Sequence, residues 1–254
     1  MLSPIQRAVA SLASAGILAR TLVSVTPAFS DAVPNDLKAL DARIHDYIMN
    51  NPKVLRDALL KLEQDEQTEN AKRVLSGLKD DLYRAGSPEI GNPNAKAAIV
   101  EFYDYNCPYC RASYPKLKAF LKENPDTKLV LKDVASLGKE SEAVARIVIA
   151  ATKQGEFERL HDALMTMKGH VTGQRALEVA KKLGLDIARL KADAGSSETG
   201  DTLTRTQDLA NRLNVTATPL YIVGHQGIAG APEDFVEQLT QHVETIRKAG
   251  CDVC

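Results

Sequence analysis

The chain has 254 residues, of which 44% are hydrophobic and 26% are charged, a composition typical of a folded globular protein and not of a disordered one. Its 32 Lys and Arg residues nearly balance its 33 Asp and Glu residues. The resulting net charge of -1 argues against a nucleic-acid partner and against binding to an acidic membrane surface.

The N-terminus has the pattern of a secretory signal. Residues 8 to 19 are apolar or small, and Ala28 and Ser30 place small residues where a signal peptidase requires them. Arg20 interrupts the apolar stretch, which is then too short for a membrane-spanning helix. We predict a cleaved signal peptide over residues 1 to 30, export, and no stable membrane insertion of the mature protein.

Residues 36 to 84 carry apolar residues at three- and four-residue spacing, which predicts amphipathic helices. Pro52 predicts the start of a second helix, because proline is tolerated in a first helical turn. That helix places Leu55, Leu59 and Leu62 on one face. Two interpretations stay open: these helices pack on the following domain, or they form a protruding arm that self-associates, which the narrow leucine stripe favours.

Residues 63 to 70 are all polar, which predicts a hinge before the leucine pattern resumes. Residues 86 to 94 are rich in glycine and proline and predict a linker. A strand over residues 97 to 103, a helix after it and a strand over residues 128 to 134 predict a parallel β-α-β unit. A long helical stretch, a β-hairpin from about residue 220 and a final helix complete the predicted domain.

The four cysteines form two Cys-x-x-Cys pairs, too few for a disulfide scaffold. Cys107 lies where a strand turns into a helix, and Pro108 occupies the first helical position, where its missing N–H costs nothing. The positive end of the helix dipole favours a thiolate there, so Cys107 is the predicted nucleophile. Cys110, one turn on, is the predicted resolving thiol. A metal site or a passive structural disulfide is the alternative.

The segment IVEFYDYNCPYC at residues 99 to 110 resembles the active-site strand and helix of the bacterial DsbA-like thioredoxin family. LHDALMTM at residues 160 to 167 resembles a helix of that family's inserted domain, and NVTATPLYIVG at residues 214 to 224 resembles its cis-proline loop. Residues 36 to 93 resemble the helical N-terminus of the ScsC-like, copper-sensitivity-suppressor branch, in which such an arm mediates oligomerisation. The resemblance implies an α/β, thioredoxin-like fold with an inserted helical domain and an N-terminal helical arm.

The resemblance also implies a cis peptide bond between Thr218 and Pro219, with the Thr218 backbone exposed to an extended client strand. An ordinary trans proline is the alternative. Glu101 matches the family's buried acid beneath the disulfide, and we interpret it as a proton relay to Cys110. Alternatively, strand alternation points Glu101 into solvent. Lys132, in the neighbouring strand, is a candidate partner for its carboxylate.

The active-site dipeptide is Pro108-Tyr109. In the family pattern of strongly oxidising DsbA proteins, a histidine occupies the second of these positions. Tyr109 brings no positive charge, so we expect a less stabilised Cys107 thiolate and a milder oxidant. This departure favours isomerase or general oxidoreductase work.

Cys251 and Cys254 are not part of the family pattern, and mutual pairing in an exposed tail is their simplest interpretation. Soft thiolates bind Cu(I), so a copper-handling protein that uses Cys107, Cys110, Cys251 and Cys254 is an alternative function. A non-catalytic chaperone is another. The histidines lack ligand spacing, so we assign none of them to a metal, and thiol chemistry requires no bound cofactor.

The predicted organisation follows: a signal peptide over residues 1 to 30, an arm over 31 to 85, a DsbA-like domain over 86 to 249 with its helical insert at about 138 to 213, and a tail over 250 to 254. The predicted activity is that of a periplasmic protein disulfide oxidoreductase or isomerase.

The predicted partners are unfolded or misfolded client proteins and a separate redox partner that resets the cysteine pair. A homo-oligomer, a trimer or a dimer, is predicted through residues 36 to 84, because several active sites facing one client raise the effective concentration.

Overall fold

The computed structural model describes residues 36 to 251, so the predicted signal peptide at residues 1 to 30 lies outside the described residues. The chain divides between Arg56 and Asp57 into two compact units. None of the helices in the described part of the chain combines the length and the hydropathy needed to traverse a lipid bilayer.

The N-terminal helices are α1 (Leu37–Asn50) and α2 (Pro52–Gly77), and α2 begins at the predicted proline. The polar segment over residues 63 to 70 lies inside α2 and does not interrupt it. Glu and Gln are good helix formers, and side chains one turn apart pair along this stretch, as Lys72 does with Glu69 over 3.1 Å. The prediction of a hinge is therefore wrong.

The leucines of this region fall into two groups with different environments. The first group is about half exposed and comprises Leu55, Leu59 and Leu62. The second group is buried against the central sheet and comprises Leu75, Leu78 and Leu82, the last of them in the short helix α3 (Lys79–Leu82). Packing on the following domain is thus correct for the second group, whereas the first group keeps an uncovered apolar stripe.

The sheet of the described region has five strands in the order β1-β3-β2-β4-β5. Strand β2 runs parallel to β3, and the other neighbouring pairs, β1 with β3, β2 with β4 and β4 with β5, are antiparallel. The strands are β1 (Glu89–Gly91), β2 (Ala97–Tyr103), β3 (Thr127–Asp133), β4 (Leu220–Val223) and β5 (Gln226–Ala229).

Strand β1 lies within the segment predicted to be a linker. Ile90 is buried and pairs with Leu129, and the ammonium of Lys128 contacts the Glu89 carboxylate over 3.1 Å. A strand of three residues with one apolar side chain is too short to show the alternation of apolar and polar residues that predicts a strand. Only its pairing with β3 identifies this segment as a strand. The linker prediction is wrong at this strand.

Helix α4 follows β2, a helical insert separates β3 from β4, and a last helix closes the domain after β5. The bounds are α4 (Pro108–Glu123), α5 (Lys139–Ala151), α6 (Phe157–Met165), α7 (Gly173–Lys182), α8 (Ile187–Ala194), α9 (Ser197–Arg212) and α10 (Phe235–Ala249). The architecture is the thioredoxin-like fold with a helical insert and N-terminal helices that the sequence predicts.

Strand alternation divides the buried side chains of β2 between two cores. Ile99 and Tyr103 belong to the core that contains α4, α10 and the insert, whereas Val100 and Phe102 belong to the core that contains the buried leucines and Leu209 of α9. Glu101 has the parity of the first set, so its side chain faces α4, the helix that begins with the cysteine motif.

Candidate active site at the start of helix α4

Cys107 is the N-cap residue of α4, and Pro108 occupies the first helical turn as the sequence predicts. The Cys107 sulfur accepts the backbone N–H of Cys110 over 3.4 Å, a capping contact that satisfies one of the N–H donors left without a partner at the helix end. The same thiol donates to the carbonyl oxygen of Thr218 over 3.2 Å. The sulfur therefore lies between a helix N-terminus and the backbone of the proline loop.

The two cysteines are free thiols in the structure. Cys107 is 4% exposed and Cys110 is fully buried, whereas Tyr109 between them is 65% exposed. Burial raises the pKa of the Cys110 thiol, and the nearby negative charge of Glu101 raises it further. Cys110 is thus a poor nucleophile unless a neighbouring group accepts its proton.

The bond between Thr218 and Pro219 is cis, as the resemblance implies, and it lies beside the cysteine pair. The Pro219 carbonyl accepts the N–H of Gly230 over 2.7 Å, which ties the loop to the end of the hairpin. A cavity of about 120 Å³ reaches Thr218 from the side of Val215 and Asn211. Together these features form a backbone edge next to the reactive sulfur.

Glu101 is fully buried, so the alternative that strand alternation turns it into solvent is wrong. Among residues 36 to 251, neither carboxylate oxygen has a hydrogen-bond partner. Burial raises the pKa of Glu101 to about 8, an effect that the nearby Tyr221 hydroxyl partly offsets. At neutral pH this carboxyl group is largely protonated.

Lys132 does not pair with Glu101. In the register of β2 and β3, Glu101 lies opposite Leu131 and Lys132 lies opposite Phe102, so the two charged side chains point to opposite faces of the sheet. The Lys132 ammonium instead donates to the carbonyl of Asp81 and to the hydroxyl of Ser87, each over 2.9 Å. The predicted ion pair between Glu101 and Lys132 is wrong. Leu131, the residue opposite Glu101, and Lys132 are adjacent in β3, and adjacent side chains of a strand point to opposite faces of the sheet.

The turn before Cys107 contains two anchoring residues that the sequence analysis missed. The Asn106 amide donates to the carbonyl of Val171 over 2.9 Å and accepts the Val171 N–H over 2.8 Å. The Asp104 carboxylate accepts the N–H of Asn106 and the hydroxyl of Ser141, both over 2.7 Å. These bonds fix the approach to Cys107 against the helical insert. The sequence does contain a signal for these two residues, the pattern Asp-x-Asn directly after a strand, because Asp and Asn side chains stabilise turns.

A buried histidine behind the strand end was also missed. His161 of α6 is fully buried among Tyr103, Tyr105, Tyr114 and Phe157, and its Nδ1 lies 2.7 Å from the Tyr105 hydroxyl. Burial lowers the pKa of His161 to about 3, so the ring is neutral. An aromatic cluster of this kind holds the insert against the end of β2.

No group of three or more His, Cys, Asp or Glu side chains within residues 36 to 251 is arranged to hold a metal ion. The fold brings His225 and His242 to one cavity of about 180 Å³, which their spacing in the sequence did not indicate. Cys251 is disulfide-bonded, and Cys254 lies outside the described residues.

Residues 98 to 244, more than half of the chain, match the DSBA-like thioredoxin domain. The chain belongs to the DsbA-like thioredoxin family. Residues 36 to 69 of this DsbA-like chain match the N-terminal domain of the copper resistance protein ScsC, which places it in the ScsC-like branch.

Two similar solved structures each cover about two thirds of this chain. A thioredoxin-like oxidoreductase from Silicibacter pomeroyi DSS-3 is 34% identical with a TM-score of 0.64, covering 67% of this chain and 98% of that one. The catalytic domain of Proteus mirabilis ScsC is 28% identical with a TM-score of 0.61, covering 68% of this chain and 96% of that one.

Curated relatives match about half of the DsbA-like chain. The Na(+)/H(+) antiporter NhaA 3 of Salinispora tropica is 24% identical over 135 residues, which cover 52% of this chain but only 21% of the antiporter. The chain thus spans about a fifth of the length of the first such relatives. Disulfide bond formation protein D of Bacillus subtilis is 26% identical over 155 residues, which cover 56% of this chain and 70% of that protein.

Proposed function

We propose that this family member is an exported protein thiol-disulfide oxidoreductase that forms or isomerises disulfides in client proteins. The observation that carries the proposal is the position of the Cys107 sulfur, which caps α4 and lies 3.2 Å from the Thr218 carbonyl oxygen next to a cis-proline. A helix N-terminus favours a thiolate, and a backbone edge beside it suits an extended client segment.

The proposed reaction proceeds by two exchanges. In reduction or isomerisation, the Cys107 thiolate attacks a client disulfide, forming a mixed disulfide and releasing one client thiolate. In reduction, the Cys110 thiolate then attacks the Cys107 sulfur, which forms the Cys107–Cys110 disulfide and releases the second client thiolate. In isomerisation, another client thiolate attacks the mixed disulfide instead, which forms a new client disulfide and frees the Cys107 thiolate. Oxidation of a client runs through the same mixed disulfide in the opposite direction. Each exchange forms one S–S bond and breaks one.

Two further parts of the site have proposed roles. Glu101 accepts the proton of Cys110 when the mixed disulfide is resolved and returns it in the reverse direction, because it is the buried carboxyl group whose charge reaches that thiol. Thr218 and Pro219 supply the backbone edge for the client. Because Cys107 is only 4% exposed, a client that adds along this edge reaches the sulfur more readily than a bulky folded surface does.

The exposed leucine stripe supports a homo-oligomer, which would favour isomerase work. Leu55, Leu59 and Leu62 expose 49%, 57% and 55% of their surface, and a stripe of this kind suits a second copy of the helix. Several active sites around one client would raise the effective concentration of each. A separate redox partner keeps the pair reduced for isomerisation or oxidised for oxidation.

Export rests on the signal-like residues 1 to 30, and a structurally similar thioredoxin-like protein from Salmonella enterica serovar Typhimurium is periplasmic. An oxidising compartment is also where a client disulfide persists. We place the mature protein in the periplasm on these grounds.

Refolding of scrambled ribonuclease tests the proposed activity. Full-length protein should restore ribonuclease activity, and Cys107→Ser should abolish that restoration. Unaltered restoration by Cys107→Ser would instead support a non-catalytic chaperone.

The oligomer is tested by Leu55→Glu, Leu59→Glu and Leu62→Glu in one chain, which should lower the mass in solution to that of a monomer and slow ribonuclease recovery severalfold. The matched control adds the same charge at exposed polar positions of α2 by Gln64→Glu, Gln67→Glu and Asn70→Glu. A truncation near Gly86 is a poor substitute, because it removes the buried leucines 75, 78 and 82 from the core. An unchanged mass would refute the role of the stripe.

A further inference from the structure

Tyr221 of β4 is fully buried between the candidate proton relay and the cysteine helix. It lies directly opposite Glu101 in the antiparallel pairing of β2 and β4, so both side chains face α4. Its hydroxyl is 2.7 Å from the hydroxyl of Ser113, one turn after Cys110. Tyr221 therefore lies within reach of both Glu101 and the helix that carries the resolving thiol.

The other contacts of Ser113 favour Tyr221 as the donor in this contact. The Ser113 hydroxyl lies 2.9 Å from the carbonyl oxygen of Tyr109 and 3.0 Å from that of Cys110, and these acceptors take its single proton. When its proton lies on one of these carbonyls, the Ser113 oxygen accepts from Tyr221. The Tyr221 hydroxyl accordingly donates to Ser113 and leaves its lone pairs for a protonated Glu101.

Ionisation of Glu101 changes this arrangement. A carboxylate only accepts hydrogen bonds, and neither oxygen of Glu101 has another donor within residues 36 to 251. The Tyr221 hydroxyl is the donor that faces it, and the pKa of Glu101 is lower in the presence of that hydroxyl. The Tyr221 proton can serve Ser113 or Glu101, but not both at once.

Within residues 36 to 251, no buried cation faces Glu101. The titratable groups whose charge interacts with it are tyrosines and a thiol, all neutral at neutral pH: Tyr103 and Tyr105 at the end of β2, Cys110 and Tyr114 on α4, and Tyr221 on β4. The β3 neighbour, Leu131, is apolar. We therefore expect a single hydroxyl donor to have a large effect on the pKa of this carboxyl group.

We propose that Tyr221 is a positioning residue whose hydroxyl switches from Ser113 to Glu101 when Glu101 loses its proton, and that this switch sets how readily Glu101 accepts the proton of Cys110. The inference rests on the proposed function, in which Glu101 is that acceptor. In the resolving step the Cys110 proton moves to the Glu101 carboxylate, the Cys110 thiolate attacks the Cys107 sulfur, and the client thiolate leaves. As Glu101 gains the proton, the Tyr221 hydroxyl returns to Ser113.

The switch predicts opposite effects for two small substitutions. Tyr221→Phe removes the donor to the carboxylate and should raise the pH midpoint of the resolving step by about one unit. Ser113→Ala removes the competing acceptor, so Tyr221 donates to Glu101 alone and the midpoint should fall by about half a unit. A purely structural role for Tyr221 would slow the step at every pH without moving the midpoint.

The measurement is stopped-flow fluorescence with a peptide disulfide whose second half is released only when Cys110 attacks. Rates are recorded from about pH 5 to pH 10 for full-length chains in which Cys251→Ser and Cys254→Ser leave a single reactive pair. Glu101→Gln serves as the reference without a titrating carboxyl group, and thermal unfolding verifies that each variant is folded. Infrared difference spectra of the protonated carboxyl group report the same midpoint without turnover.

Opposite shifts in Tyr221→Phe and Ser113→Ala support the switch. Midpoints that stay at the wild-type value in both variants, while Glu101→Gln abolishes the transition, overturn the switch and leave the proposed function intact. A profile that Glu101→Gln does not change refutes the relay itself. Should Tyr221→Phe fail to fold, Ser113→Ala with an unchanged infrared midpoint still overturns the inference.

Discussion

Glu101 and Lys132 lie on neighbouring strands of one sheet, and both are buried, but their surroundings differ. Lys132 donates to two neutral oxygens at 2.9 Å on the face of the buried leucines. Glu101 has no hydrogen-bond partner among the residues that the structure describes, and it faces Cys110. Burial lowers the pKa of Lys132 and raises that of Glu101, each to about 8.

The difference shows that burial alone does not mark a functional group. Both residues pay a desolvation cost, yet the Lys132 ammonium is held by backbone and hydroxyl contacts that serve the packing of α3 and β1. In the described part of the chain Glu101 lacks such contacts, and it lies where the proposed mechanism moves a proton. A buried titratable group without a partner, next to a reactive thiol, is the better candidate for catalysis.

The largest expected effect is on stability through Glu101. Its pKa is raised from 4.5 to about 8, so the unfolded chain ionises first and the wild type loses stability relative to Glu101→Gln as pH rises from 4.5 to 8. The loss should be on the order of 3–5 kcal/mol. Urea unfolding at pH 5, 7 and 9 measures it, with the exposed Glu123→Gln as control. A constant difference between wild type and Glu101→Gln would contradict the prediction.

A smaller effect of similar origin is expected at Lys132. Its pKa falls from 10.5 to about 8, so the folded state disfavours its charge and the wild type loses stability relative to Lys132→Met as pH falls from 10.5 to 8. The expected loss is roughly 2–3 kcal/mol, measured by urea unfolding at pH 8 and 10.5. The exposed Lys122→Met is the matched control. Equal changes in both variants would show that burial of Lys132 is not the cause.

Substitutions of Glu101 and Lys132 should differ sharply in their effect on the rate of the resolving step. Glu101→Gln is expected to slow the resolving step about tenfold at pH 9, where the wild-type carboxyl group is ionised and can accept the Cys110 proton in the proposed mechanism. Lys132→Met should leave the rate within about twofold, since its side chain points to the other face. Single-turnover release of a peptide from the mixed disulfide measures both rates. A tenfold slowing in Lys132→Met would mean that the two faces are coupled.

The smallest effect is the coupling between the two substitutions. In the double variant, the changes in unfolding free energy should add to within about 0.5 kcal/mol, because residues without shared partners act independently. Urea unfolding of wild type, both single variants and the double variant at pH 7 completes the cycle. A coupling energy well above this value would show that charge on one face of the sheet influences the other.

Much of the architecture was readable from the sequence. The apolar run at residues 97 to 103 gives β2, the cysteine motif begins α4, and the pattern near residue 220 gives the hairpin. These elements have local causes, namely hydrophobic period, helix caps and turn residues. Strand β1 was missed and a hinge was wrongly placed inside α2, because pairing and helix propensity decided those segments.

The sequence by itself determined that Cys107 would cap a helix with Cys110 one turn later, since a strand end, a proline and a three-residue spacing act locally. Only the tertiary structure decided that Tyr221 faces Glu101, that Ser113 reaches Tyr221, and that Lys132 turns away from all three. Those relations depend on strand register and on which face of the sheet a side chain occupies. Residues more than 100 positions apart are brought together by packing, and no local pattern encodes that distance.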